Sequence, residues 1–284
     1  VVLVEYADSR KGTRTFKADL VEVETENVTS IELYPRVTGH EQIRLFSENA
    51  QWKVESEGKT YNADQSMPSN LISELNALKP QSVVATDKDR WDRFEVTDSL
   101  GTRVKLFNDD KLLADVIIGK FTFSQPRNMT SYVRLADDKE VYGVDGMIGM
   151  SFNRDLKAFR NKTVINSQSS NWSKLTFDYP ADSSFVLEKD NNKWMVEGQP
   201  ADSAEVVEYL NSITRLNEAR FAETEPSGSP THQLIIGGSL DEPIQISGYF
   251  SDEENFIIES SMNPGTYFNS PDLAEKVYPS KTKF

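Results

Sequence analysis

Apolar and polar residues alternate along the chain in short runs, and the runs recur in the same order. Ile43-Arg44-Leu45 leads over a polar turn to Gln51-Trp52-Lys53-Val54-Glu55, and Phe185-Val186-Leu187 leads over Asp190-Asn191-Asn192 to Lys193-Trp194-Met195-Val196-Glu197, 142 positions later throughout. Period-two alternation around Asn and Asp turn residues predicts a β-hairpin in each case. Downstream, Ala63-Asp64 and Ala201-Asp202 each open a stretch of helical spacing. Leu71, Ile72, Leu75 and Leu78 match Tyr209, Leu210, Ile213 and Leu216, an i, i+1, i+4, i+7 stripe that buries one helical face. Asp64 and Asp202 then stand where a carboxylate caps free amides and complements the helix dipole.

Strand-like alternation returns after each helix. Val104-Lys105-Leu106 and Val116-Ile117-Ile118-Gly119 parallel Leu234-Ile235-Ile236 and Ile244-Gln245-Ile246-Ser247-Gly248. Further strands fit Ser131 to Leu135 and Val141 to Val144, with weaker counterparts at 255–258 and around Thr266-Tyr267-Phe268. The fold class this predicts is α+β, as two diverged copies of a mostly antiparallel sheet unit with one main helix each. Its divisions are a tether segment over 1–20, a first repeat over 21–150, a connecting segment over 151–170 and a second repeat over 171–284. The Gly- and Pro-bearing stretch 224–231 reads as a loop. Trp52 and Trp194 recur at one repeat position, which predicts a packing role for both.

Composition narrows the possibilities. Lys and Arg total 31 against 45 Asp and Glu, so a formal charge of -14 disfavours nucleic acid and anionic surfaces as partners of the whole chain. The apolar content of 37% supports packed cores. No cysteine is present, which removes disulfides, thiolate catalysis and Cys-ligated metals. No run reaches the roughly 20 apolar residues of a membrane span. The chain opens on Val1-Val2-Leu3-Val4 without Met, followed by Arg10, Lys11, Arg14 and Lys17. It reads as a piece cut from something longer, its first residues either an ordinary strand or the end of a removed membrane helix.

Motifs that carry chemistry are not matched. Gly119-Lys120 fails the phosphate-binding loop, with Ala114 in place of the first glycine and Phe121 in place of the hydroxyl. Gly143, Gly146 and Gly149 lack dinucleotide spacing and read as turns beside the last strand. His40 and His232, the two histidines, occupy non-equivalent places and are expected in solvent-facing loops. Asp87-Lys88-Asp89-Arg90-Trp91-Asp92 begins like a calcium loop, but Trp91 takes a ligand position and no glycine follows. Carboxylates are too many for any pair to be singled out as a hydrolase's. Trp91, Trp172, Tyr132 and Tyr142 suit packing, or a binding strip if exposed together. No catalytic, metal, cofactor or ligand-binding residue is assigned, and no cofactor is expected.

Arg14-Thr15-Phe16-Lys17, Val28-Thr29-Ser30-Ile31, Trp52-Lys53-Val54, Ala63-Asp64, Ile118-Gly119-Lys120, Tyr132-Val133-Arg134, Val141-Tyr142 and Phe159-Arg160-Asn161-Lys162 follow one another in an order that resembles a bacterial domain-of-unknown-function family found beside gliding-motility-type ABC transporter components. The resemblance spans nearly the whole chain. It implies a membrane-tethered, extracytoplasmic accessory domain just after a missing N-terminal anchor, helix or lipid, with transporter subunits or other envelope proteins as partners. It implies no catalytic residues, so the expected protein is not an enzyme. A carbohydrate- or peptide-binding module of the envelope is the alternative, ahead of a carboxylate-based hydrolase.

Overall fold

A computed structural model divides the chain into two compact units, Val1–Arg160 and Asn161–Phe284. The structure describes residues 17, 19–124, 128–250 and 256–284. The readings of residues 1–4, of Arg10, Lys11 and Arg14, of the 1–20 tether as far as residue 16, and of Asn255 fall outside them.

The first unit contains β1 (Ser30–Tyr34), β2 (Ile43–Glu48), β3 (Gln51–Ser56), β4 (Lys59–Asn62), α1 (Met67–Asn76), β5 (Pro80–Ala85), α2 (Trp91–Phe94), β6 (Thr102–Asn108), β7 (Lys111–Ser124), β8 (Asn128–Leu135), β9 (Val141–Asp145), α3 (Gly149–Phe152) and α4 (Leu156–Phe159). Its strands form one antiparallel sheet in the order β4-β3-β2-β1-β6-β7-β8-β9-β5. Alternation decides what each face buries. Val116, Ile118 and Val133 face the main core with Leu71, Ile72 and Leu75 of α1 and with Phe152 and Phe159. Ile117 and Val141 point the other way, into a smaller core with Ala85, Phe94 and Val96. Gly119 lies where the covering segment comes closest, since a Cβ there would stand 2.1 Å from the Phe94 carbonyl oxygen.

The second unit contains β10 (Thr163–Asn166), β11 (Trp172–Asp178), β12 (Phe185–Asp190), β13 (Lys193–Val196), β14 (Gln199–Pro200), α5 (Ser203–Ile213), β15 (Arg215–Asn217), β16 (His232–Gly238), β17 (Ile244–Phe250), β18 (Phe256–Ser260), β19 (Tyr267–Asn269) and α6 (Pro271–Val277). Its sheet runs β14-β13-β12-β11-β16-β17-β18-β19, with β10 and β15 paired separately. Leu175, Phe177, Leu234, Ile236 and Ile246 bury one face against α5 and α6. The Tyr209 hydroxyl donates to the Val277 carbonyl at 2.9 Å and ties the two helices together.

Large antiparallel sheets with helices on them make this an α+β protein. Both expected hairpins form, at β2–β3 and β12–β13. The helical stripes are buried in both units, but α1 ends at Asn76 and α5 at Ile213. Leu78 is therefore already past its helix, and Leu216 lies in β15. Asp202 caps α5, accepting from the amides of Ala204 at 2.8 Å and Glu205 at 3.3 Å. Asp64 does something different: it accepts from the amide and hydroxyl of Ser66, and that serine occupies the cap position of α1. The segment drawn as a connector over 151–170 contributes Phe152 and Phe159 to the first core and Val164 and Ile165 to the second.

Candidate functional site

The aromatic residues singled out in the sequence separate into two groups. Trp172 and Tyr142 are fully buried and belong to the cores. Trp91 and Tyr132 are half-buried and come together on the back of the first sheet. Residues 88–90 form a 3-10 turn and Trp91–Phe94 one helical turn, so the stretch resembling a calcium loop is wound up rather than open. Phe94 packs on Tyr132 with ring centroids 4.7 Å apart, and the Tyr132 hydroxyl meets that of Thr122 at 3.0 Å. Trp91 donates its indole N–H to the Lys139 carbonyl at 3.0 Å.

Arg134 holds this arrangement. Its side chain is 3% exposed, and the guanidinium lies 3.7 Å from the Trp91 ring centroid. Its Nε donates to the Val96 carbonyl at 3.0 Å, and Nη1 donates to the carbonyls of Leu135, Ala136 and Asp138. Burial lowers its pKa, and the carbonyl dipoles and the π face compensate for lost water. One face of Trp91 is thus covered by the protein's own cation, and its N–H is bonded, which leaves little of the ring for stacking on a sugar.

The carboxylates with shifted titration point away from acid catalysis. Burial pushes Asp138 up, but the amides of Glu140 and Lys139, the Tyr142 hydroxyl and Lys17 together bring it below its usual value. Glu218 feels the same burial. It is brought down to about 2 by the Arg220 guanidinium, the Ser270 hydroxyl and the amides of Arg220 and Ala219. A general acid needs the opposite direction. Tyr142 donates to both Asp138 and Glu140, and burial followed by these carboxylates raises it far above the phenol range.

The histidines differ from expectation. His40 is partly covered, with Nε2 at 3.1 Å from the Ser99 carbonyl. His232 is not in a loop but opens β16, with its ring 4.7 Å from Phe250, 5.0 Å from Tyr179 and 5.6 Å from Tyr278. Its place on a strand whose neighbours present aromatic rings explains the difference, and burial lowers its pKa. Of the glycines read as turns, Gly146 fits with φ of 96°, Gly143 lies inside β9 and Gly149 begins α3.

A cleft of about 350 Å³ has Leu20, Leu112 and Leu135 in its wall beside Glu22, Asp115 and Asp137. Asp115 is already bidentate to Arg103. Among the described residues no group of three or more His, Asp or Glu is placed to hold a metal.

More informative is where apolar side chains are left uncovered. The exposed large ones among the described residues are Val37, Leu100, Leu112, Phe121, Phe123, Met129 and Met150 in the first unit, against Val207 and Met262 in the second. Sequence reading missed these. The available signal was the Phe121-Thr122-Phe123 alternation in a strand without a helix to bury it.

A family model described as a domain of unknown function, DUF4340, matches residues 52–234, well over half of the chain. The chain belongs to the DUF4340 family. The match runs from Trp52 in β3 to Leu234 in β16, so the DUF4340 region takes in the Trp91–Arg134 arrangement and the β7–β8 hairpin. No curated protein and no solved structure matches the chain.

Proposed function

We propose that this DUF4340 chain is a non-catalytic interaction module. In this reading an N-terminal anchor holds it on the extracytoplasmic side of a membrane, where it serves as an accessory to an ABC-type transport or gliding-motility-like assembly. The observation that carries the interaction role is that seven of the nine exposed large apolar side chains among the described residues belong to the first unit, Val37, Leu100, Leu112 and Met150 as well as Phe121, Phe123 and Met129. The transporter setting rests on the family resemblance of the sequence. Commitment of Arg134, Tyr142 and Glu218 to internal partners supports a binding rather than a chemical role. Among the described residues no helix is long and apolar enough to cross a membrane, and in this reading the anchor precedes them.

The two units are, in the same reading, diverged copies of one unit. Their sheets share the order of strands from β4 to β9 and from β14 to β19. Hairpin register supports it too: Leu45 faces Val54 and Leu187 faces Val196, both members shifted by 142. Beyond each helix the chain runs beside the segment that precedes the sheet, Leu20 donating to Leu78 in one unit and β10 pairing with β15 in the other. Self-comparison of other DUF4340 sequences tests this, and absence of any such internal offset from all of them would sink it.

The partner is tested by affinity purification of the full-length, anchored protein from its native membranes after mild crosslinking, with mass spectrometry. Permease or ATPase subunits should be enriched over a tagged unrelated lipoprotein, with crosslinks from the first unit. A preparation free of transporter subunits would overturn the assignment and favour an envelope carbohydrate or peptide as ligand.

A further inference from the structure

The 14 residues of β7 outrun their neighbours. Strand β6 follows β7 as far as Ile118, opposite Thr102, and β9 follows β8 only to Thr130. Past Ile118, Phe121, Thr122 and Phe123 pair with Ser131, Thr130 and Met129; β8 keeps β9 beside it at Ser131 and Thr130, and only the pairs Phe123–Met129 and Ser124–Asn128 continue as two strands alone. A register shift between Ile118 and Phe121 sets three positions of β7 against two of β8. This bulge puts Phe121 and Phe123 in the row of Ile118 and Val133, the row that faces the main core. The core row is thus prolonged beyond the core, leaving Phe121 50%, Phe123 59% and Met129 36% exposed.

The second unit supplies a comparison. In β17–β18, the hairpin at the same place in the strand order, Phe250 pairs with Phe256, and Phe250 is covered by His232 at 4.7 Å and Tyr278 at 5.6 Å. This architecture can cover an apolar hairpin end, and among the described residues of the first unit no side chain does so.

Size and charge indicate the occupant. Three side chains, Phe121, Phe123 and Met129, offer far less than the roughly 800 Å² per partner of a stable protein interface. Residues 116–136 contain no acidic side chain, in a chain with 45 Asp and Glu, and Lys120 adjoins Phe121; Arg134 is spent on internal carbonyls, and the acid beside the stretch is the exposed Asp145 across from Thr130. A surface of phosphate headgroups can therefore be approached here without desolvating a carboxylate in this stretch. The headgroup–acyl boundary takes up aromatic side chains without demanding shape complementarity. We propose that Phe121 and Phe123 of β7, with Met129 of β8 beside them, insert into the interfacial layer of a phospholipid bilayer.

The test is flotation of the 284-residue chain with vesicles of phosphatidylcholine alone and with added phosphatidylglycerol. The chain should float with phosphatidylcholine vesicles and keep doing so at high salt, since apolar insertion carries the binding. F121S/F123S should lose about tenfold or more in partitioning, M129D should lose binding as well, and V207S, an exposed apolar residue of α5 in the second unit, should not. Circular dichroism identifies a variant that fails to fold, and M129D decides if the double variant is one. Three results would each overturn the proposal: no flotation of the unmodified chain with either vesicle, unchanged flotation of the folded hairpin variants, or a dimer in sedimentation that F121S/F123S dissociates. Vesicles contain no protein, so this outcome is independent of the transporter assignment.

Discussion

Glu218 is the residue whose titration says most about stability. Its carboxylate accepts from the Ala219 and Arg220 amides at 2.8 and 2.9 Å and from two guanidinium nitrogens of Arg220 at 3.1 and 3.0 Å. Its pKa falls from an ordinary 4.5 to about 2 although burial alone would raise it. A carboxylate depressed in the folded state contributes stability above its unfolded pKa and loses it as pH falls through the folded one. The contribution should be whole above about pH 4.5 and fade between there and pH 2. Because Arg220 is half-exposed, solvent screening reduces it. Glu218→Gln should lower the urea midpoint at neutral pH and flatten its acid slope, and an unchanged slope would mean the carboxylate is not held as described. At this scale the sequence is least legible. It displays Glu218 and Arg220 as near neighbours, but Arg134 meets the Val96 carbonyl across 38 positions, and nothing local marks it as the cation over Trp91.

Element by element, what was legible is what local chemistry determines. The hairpins follow from alternation and turn residues, and both helices from an apolar stripe. The two aspartates ahead of those helices look alike in sequence and differ in place, which gives a prediction. Asp202→Ala removes the acceptor for two amides of α5 and should cost about 1 kcal/mol in denaturant unfolding, while Asp202→Ser should recover most of it. Asp64→Ala loses two bonds from Ser66, which precedes α1, and no bond from an amide of α1 itself, and should cost less; equal losses would place both at true caps. What was not legible depended on partners far along the chain. Strand β5 pairs with β9 through two register shifts, which blur its alternation, and Phe221 meets Phe268 through an isolated bridge and ring stacking at 5.5 Å, outside any strand of its own. Helix α6 carried a readable start in Ser270-Pro271-Asp272, its serine accepting from the Leu273 amide, but at seven residues it is too short for periodicity to announce it.

For the whole molecule, each core is built from its own unit's residues, Leu20 to Phe159 in the first and Val164 to Val277 in the second. Cooperativity follows the packing that is lost when a core opens, so urea should unfold the chain in two transitions. Tryptophans are divided evenly: Trp52 and Trp91 in the first unit, Trp172 and Trp194 in the second. In a W52F/W91F background, fluorescence reports the second unit alone. Phe177 is fully buried there, stacked on Phe185 at 4.4 Å and 6.1 Å from Tyr209. Phe177→Ala should cost that transition about 3–5 kcal/mol through lost burial and the cavity left behind. Ile72→Ala, from the fully buried face of α1, should cost the other transition about 2–5 kcal/mol and leave the fluorescence midpoint in place. If both substitutions move both transitions together, the units share one cooperative structure and the separate cores do not set the unfolding. If they separate, variants of the β7–β8 hairpin can be read for binding with the second unit as an internal control of folding.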